Sequence, residues 1–253
     1  MAKKYNFTKM HAFGNDFVIF DFRSENTDVS FSKSHIIVMS DRNFGIGCDQ
    51  LIMIYKASKP DDEKGVNVMI RVFNQDGTEA QNCGNGVRCV VGYVARDSLK
   101  PLVRVQVGKK VMLGKPDRKS LSALVNMGIP VINGDIVELG NKHKIIIATD
   151  IDNIQQTPDP EYNLHYIEVR SRKEVFMRTI ERGVGETLSC GSGTCAVAAY
   201  CISNGFVDND VSIISRGSYI AGEEHARVSW GGAGKPMLLS GKYSFVFTGA
   251  IEV

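Results

Sequence analysis

Two cysteines stand where a thiol can do acid–base work. Cys190 lies in ETLSCGSGTCAVAAYC, the stretch from Glu186 to Cys201, directly before Gly-Ser-Gly and an apolar run. Cys83 lies in EAQNCGNGVRCVVGYV, which starts at Glu79, directly before Gly-Asn-Gly and a second apolar run. Each pattern predicts a helix that begins just after its cysteine. A helix N-terminus exposes unpaired backbone N–H groups and a partial positive charge. A thiol placed there has its thiolate stabilised, and the glycines let a ligand come close to the backbone. Each segment therefore offers a reactive thiol beside a cradle for an anion such as a carboxylate.

For one such segment, a small buried cysteine at a helix start is the plainer explanation. The repetition shifts the balance. When DGTEAQNCGNGVRCVV is aligned with GVGETLSCGSGTCAVA, a glutamate stands four residues before the cysteine in both, and the copies lie 107 residues apart in a chain of 253. A duplication of that size predicts two similar domains. If they face each other, a thiolate and a thiol on opposite faces of one carbon can remove a proton and return one, which inverts a stereocentre without a cofactor. The cradle would stabilise the charge that builds on a carboxylate as its α-proton leaves. The two thiols would then titrate as a coupled system.

The elements that must position these thiols are mostly strands. FVIFDF, QLIMIY, NVMIRVF, LVRVQV, SALVNM, KIIIAT, HYIEVRS, EVFMRTI, VSIIS, ARVSW and YSFVF are rich in Val, Ile, Phe and Tyr and are separated by Gly, Asn, Asp or Pro. Helical patterns follow the two cysteines, the second ending at Asn204-Gly205, and a third is expected in SFSKSHIIVMSDR with Ser30 or Ser32 as cap. This is a strand-rich α+β pattern with no βαβ alternation. The boundary is expected where VNMGIP runs into Gly128 and Pro130, which gives domains 1–126 and 127–241. DDEKG at 61–65 and KPDRKS at 115–120 read as solvated turns.

Composition narrows the function. Lys and Arg number 30 and Asp and Glu 28, so no charge excess argues for nucleic acid or an anionic membrane surface. The start carries no apolar signal segment, and no apolar run is long enough to span a bilayer, so a cytoplasmic protein is expected. The six cysteines are Cys48, Cys83, Cys89, Cys190, Cys195 and Cys201. In a chain read as unsecreted they are expected as thiols and not as a disulfide framework, and their spacings suit zinc poorly with no clustered histidines to complete a site, so no metal is expected.

The chain resembles the diaminopimelate epimerase family. The resemblance runs through KMHAFGNDFVIFD, RNFGIGCDQL, FNQDGTEAQNCGNGVRC, VNMGIP, ERGVGETLSCGSGTCAVA and the tail, so it covers essentially the whole chain. It implies two pseudo-symmetric strand-rich α/β domains, each a barrel around a central helix, with the C-terminal tail 242–253 returning to the first. It implies a pyridoxal-independent isomerase of lysine and peptidoglycan precursor synthesis that needs no cofactor. Its substrate would be the small molecule diaminopimelate, and its expected assembly a homodimer. By the same resemblance Cys83 and Cys190 are the acid/base pair, and Glu181 and His143 tune or position it. Gly84, Asn85, Gly191 and Ser192 match the cradle of the reacting carboxylate, with Asn15 and Gln50 lining it. Asn74, Asn163 and Arg182 match the residues for the distal amino-acid end, and the Arg182 fork suits a carboxylate. Asn141 carries over to substrate binding. Lys142 replaces the family's usual proline, which predicts a looser loop there. Phe247 stands at what resembles a dimer contact, where the family has tyrosine.

Bland roles fit the rest. Cys89, Cys195 and Cys201 fall on apolar helix faces, and Cys48 reads as packed near the site. His11 reads as a structural hydrogen-bonder, and His35, His165 and His225 as surface or packing residues. Glu79 and Glu186 read as loop stabilisers. Two other functions fit the thiol pair: a cofactor-independent racemase of the proline racemase type, and a redox-sensing binding protein in which Cys83 and Cys190 form a regulatory disulfide.

Overall fold

The computed structural model describes residues 3–25, 29–57, 65–80, 83–154, 157–222 and 224–253. Residues 61–64 of the DDEKG run lie outside the described residues. The chain divides into two compact units. One comprises Met1–Ala12, Asp16–Leu121 and Tyr243–Val253, and the other Phe13–Asn15 and Ser122–Lys242.

The first unit opens with β1 (Lys4–Ala12), β2 (Asn15–Asp21), α1 (Lys33–Ser40), β3 (Gln50–Lys56) and β4 (Val68–Asn74). It continues through β5 (Glu79–Ala80), α2 (Gly84–Arg96), β6 (Val103–Val107) and β7 (Lys110–Asp117). The α1 cap is Ser32, whose hydroxyl accepts from the His35 N–H at 3.2 Å. Strand β2 runs parallel to β3, β3 antiparallel to β4, and β4 parallel to β6, which pairs antiparallel with β7. The short β5 hangs on β4 as a hairpin. Helix α2 packs against β1, β6 and β7, elements from both ends of this ladder, so the sheet curls around it. Every α2 residue from Gly84 to Ala95 is buried, as a helix enclosed on all sides requires.

The second unit contains β8 (Ser122–Gly128), β9 (Val131–Asn133), β10 (Ile136–Leu139), β11 (Asn141–Ile147), β12 (Asn163–Ser171), β13 (Glu174–Glu181) and β14 (Gly185–Thr187). Then come α3 (Gly191–Ser203), β15 (Asp210–Ser215), α4 (Arg216–Ala221), β16 (Ala226–Trp230) and β17 (Met237–Lys242). Its pairings repeat those of the first unit. Strand β11 is parallel to β12, β12 antiparallel to β13, β14 a hairpin arm on β13, β13 parallel to β15, and β15 antiparallel to β16. Helix α3 packs against β10, β11, β12, β13, β15, β16 and β17, so this sheet also wraps its helix. The chain ends in β18 (Ser244–Glu252), which pairs antiparallel with β1 in the first unit.

Most of each apolar segment named above lies on a strand, with a residue or two at the end of some, such as Ala148 and Thr149 of KIIIAT, lying outside it. Strands β1, β5, β7, β9, β10, β14 and β17 and helix α4 were not anticipated, because Lys, Gly, Ser or Pro interrupts their pattern or they are very short. The expected boundary at residue 126 falls inside β8, whose length pairs with β17, so the unit begins at Ser122 instead. KPDRKS is only partly a turn. Lys115–Asp117 finish β7, and Arg118 reaches back to the carbonyls of Ala95, Ser98 and Lys100 at the end of α2.

Candidate functional site

Cys83 is the N-cap of α2 and Cys190 the N-cap of α3, both in extended backbone. Cys83 is half-buried. Its Sγ accepts from the Gly86 N–H at 3.2 Å, so the thiol itself caps one of the helix's orphan donors. A Cβ on Gly86 would lie 2.9 Å from that sulfur, which is why the second glycine of the motif stays bare. Cys83 Sγ also donates to Gln50 Oε1 at 2.9 Å. Gln50 stands opposite Asn74 in the β3–β4 register, and its Nε2 donates to Asn74 Oδ1 at 2.9 Å. Asn74 Nδ2 in turn donates to Thr78 Oγ1 at 3.0 Å. The first unit thus brings together Cys83, Gln50, Asn74, Gly84 and Asn85. Asn85 is buried, and its side-chain oxygen accepts from Arg88 at 2.7 Å.

In the second unit Cys190 is buried, with its Sγ 3.7 Å from Ser192 Oγ. Its carbonyl accepts from both the N–H and the hydroxyl of Thr194, at 2.8 Å each. Gly191 and Ser192 form the first turn of α3. A second cluster lies on neighbouring strands. The β11–β12 register pairs His143 with Asn163, and Asn163 Oδ1 accepts from the Arg182 backbone N–H at 2.9 Å. Glu181 Oε1 accepts from Thr187 Oγ1 at 2.8 Å, which ties β13 to β14. The Arg182 side chain is exposed.

His143 is wholly buried, and burial lowers its pKa to about 4. Its Nδ1 lies 2.8 Å from His165 Nε2, and His165 Nδ1 lies 3.0 Å from Thr179 Oγ1. The Nε2 of His143 has no hydrogen-bond partner among the described residues. His165 is also fully buried, and burial, with His143 beside it, holds its pKa well below the ordinary histidine value. A Cβ on Gly193, in the first turn of α3, would lie 2.2 Å from the His165 ring. The histidine pair therefore underlies the turn that Cys190 caps.

Asn15 opens β2 just after a tight turn in which Phe13 and Gly14 both have positive φ, 55° and 84°. A buried phenylalanine in that region is strained. The Phe13 carbonyl presses on Gly217, where a Cβ would sit 1.9 Å away. Asn141 is exposed at the start of β11 and pairs with Leu139.

One expectation needs correction. Lys142 is not in a loose loop: it lies in β11 opposite Glu138, with its ammonium 2.8 Å from Glu161. A strand needs no proline to set its backbone. Of the surface or packing roles expected for His165, packing is the one found: its ring is enclosed between His143, Thr179 and Gly193. Its signal in the sequence was its place one residue beyond Leu164 in a strand buried on both faces at that point. Cys48, Cys89, Cys195 and Cys201 are core residues, and burial pushes the thiols of Cys48 to about 11 and Cys201 to about 12.

A curled sheet around one buried helix, with a cysteine capping that helix, occurs in each unit. The architecture defines a class of folds shared with several solved structures. A PhzF-family phenazine biosynthesis protein from Bacillus anthracis matches with a TM-score of 0.75 and 13% identity, covering 99% of this chain and all of that one. A hydroxyproline epimerase from Agrobacterium vitis matches with a TM-score of 0.69 and 10% identity, covering 99% and 93%. At such identities the likeness concerns the fold alone.

The sequence narrows the class. The family model described as Diaminopimelate epimerase matches residues 7–132 and 136–227. A diaminopimelate epimerase from Ralstonia nicotianae is 31% identical over 297 residues, covering 99% of this chain and 97% of that protein. One from Nitrosomonas europaea is 32% identical over 288 residues, covering 99% and 100%. The chain belongs to the diaminopimelate epimerase family, isomerases that need no pyridoxal phosphate.

Proposed function

We propose that this protein converts LL-2,6-diaminopimelate to meso-diaminopimelate by proton transfer at the α-carbon, with Cys83 and Cys190 as the acid/base pair. The observation that supports this most is the repeated arrangement: a cysteine as N-cap, Gly-polar-Gly behind it, and a largely buried helix, in the same topological place in both units. One thiolate takes the α-proton and becomes a thiol, while the other thiol delivers a proton to the opposite face and becomes a thiolate. Charge and proton count are unchanged over the cycle.

The cradle is Gly84, Asn85, Gly191 and Ser192, whose backbone N–H groups at two helix starts suit a carboxylate. Asn15 and Gln50 line it. Asn74, Asn163 and Arg182 are read as the holders of the distal amino-acid end, which favours a long substrate over the ring substrate of a proline racemase, and Asn141 is read as a further substrate-binding residue. Glu181 and His143 are read as positioning groups. The product would serve lysine and peptidoglycan precursor synthesis, and the enzyme would work in the cytoplasm as a homodimer.

The test is proton NMR of LL-diaminopimelate with the reduced protein in D2O. Loss of the α-proton signal with growth of the meso isomer is expected. Exchange with proline but not with diaminopimelate would move the protein to the racemase reading. Exchange with neither would end the two-thiol mechanism.

A further inference from the structure

The turn that joins β4 to β5 is built by Asp76-Gly77-Thr78. Gly77 has φ of 76°, a conformation that favours glycine. The Asn74 N–H donates to the Thr78 carbonyl at 2.8 Å and the Gly77 N–H to the Asn74 carbonyl at 2.9 Å. Next to this turn Gln75 braces the hairpin through Nε2 to the Cys48 carbonyl at 2.8 Å. Asp76 Oδ1 receives both the Thr78 N–H, at 2.9 Å, and the Thr78 hydroxyl, at 2.6 Å. These two bonds come first among the causes that hold its carboxyl below the usual range, with the Lys33 ammonium on α1 contributing, so Asp76 is an ionised acceptor at neutral pH.

That acceptor sets the direction of every bond beyond it. A carboxylate cannot donate, so the Thr78 hydroxyl must spend its proton on Asp76. Thr78 Oγ1 is then an acceptor toward Asn74, which must present Nδ2 to it at 3.0 Å. Asn74 therefore turns Oδ1 toward Gln50, and Gln50 must present Nε2 to it at 2.9 Å. The remaining Gln50 atom, Oε1, faces Cys83 Sγ at 2.9 Å. An amide oxygen there accepts from S–H and repels a thiolate, because both would offer lone pairs.

We propose that Asp76 and Thr78 are positioning residues for Cys83: through the amides of Asn74 and Gln50 they hold an acceptor on its sulfur and keep Cys83 as the proton-bearing thiol at rest. The chain opposes the helix start and the Gly86 N–H, which favour the thiolate. A thiolate on Cys83 would face that amide oxygen directly, so the relay disfavours loss of the sulfur's proton in the free enzyme. The proposal rests on the reading of Cys83 as an acid/base group, but its test reads the sulfur and not turnover.

In the Asp76→Ala variant the Thr78 hydroxyl is released to donate to Asn74 Oδ1. Both amides then turn, and Gln50 offers N–H to the sulfur. The Thr78→Val variant removes the link itself, while Thr78→Ser retains it. The reduced full-length proteins are treated with iodoacetamide at neutral pH, and the Cys83 and Cys190 peptides are followed separately by mass spectrometry. Cys83 should be alkylated several-fold faster in Asp76→Ala and Thr78→Val and at the wild-type rate in Thr78→Ser, with Cys190 unchanged throughout. An unchanged or slower Cys83 rate in both Asp76→Ala and Thr78→Val overturns the proposal, as does an equal acceleration at Cys190, which would report general loosening. Asp76 and Thr78 are exposed, so these variants leave the core intact. A protein that fails to epimerise diaminopimelate but shows this alkylation pattern would overturn the proposed activity and leave the relay standing.

Discussion

Arg178 holds Glu186 by two parallel hydrogen bonds, Nε to Oε1 at 2.7 Å and Nη2 to Oε2 at 3.1 Å. The same pair recurs in the first unit, where Arg71 holds Glu79 through Nε at 3.0 Å and Nη2 at 2.8 Å. Each pair fastens a hairpin arm four residues before its cysteine. Arg178 also donates to the carbonyls of Ile151 and Asp152, at 2.7 Å each. Arg178→Lys keeps the charge and loses the fork, so a loss of about 1–2 kcal/mol is expected, read as a lower melting temperature.

The same carboxylate predicts a pH dependence. The bonds from Arg178, and then Arg216, hold Glu186 down from 4.5 to about 2. A lowered carboxyl stabilises the fold above its unfolded pKa, and that stability drains as pH falls from about 4.5 toward 2. Thermal melts across this window should show a shallower slope for Glu186→Gln than for wild type. Equal slopes would mean that the pair contributes nothing to folding.

Acid should act earlier through His143 and His165. Both are buried as neutral rings, and the His143 pKa falls from 6.5 to about 4. The unfolded chain binds protons that the folded chain refuses, so stability is complete above about pH 6.5 and lost as pH falls toward 4. The slope can approach about 1.4 kcal/mol per pH unit for each histidine. Melts of the His143→Gln/His165→Gln double variant should be flatter across that window, even if lower overall.

Two glycines are fixed by close approach. A Cβ on Gly92 would meet the Tyr243 ring at 2.3 Å, and one on Gly193 the His165 ring at 2.2 Å. Gly92→Ala should destabilise the seating of Tyr243 against α2, and Gly193→Ala should displace the histidine pair from the Cys190 turn. Both are expected to cost about 1–3 kcal/mol as overpacked cores. Only Gly193→Ala should alter the His143 ring resonances in a nitrogen NMR spectrum while the protein remains folded.

Single cysteine variants separate chemistry from packing. Cys83→Ala and Cys190→Ala should each slow epimerisation by at least about 10²-fold, the scale of a lost acid or base. Cys89→Ala and Cys201→Ala should instead retain turnover and lose stability, measured by denaturant midpoint, since both side chains are fully enclosed.

Much was legible along the chain because the signals are local. The period-2 apolar segments became strands, the Gly-polar-Gly motifs became helix starts, and the 107-residue spacing carried Cys83 to Cys190 and Glu79 to Glu186. The sequence by itself determined which thiols cap helices, since capping depends on residues within one turn. Only the tertiary structure decided what surrounds them. Parallel pairing of β11 with β12 set His143 beside Asn163, and the burial of His165 beneath Gly193 depends on strands 22 residues apart meeting a helix start. The Asp76 to Cys83 relay likewise needs the β3–β4 register to place Gln50 opposite Asn74. Hydrogen-bond direction and burial are properties of neighbours in space, and no periodicity along one strand records which partner the next strand will bring.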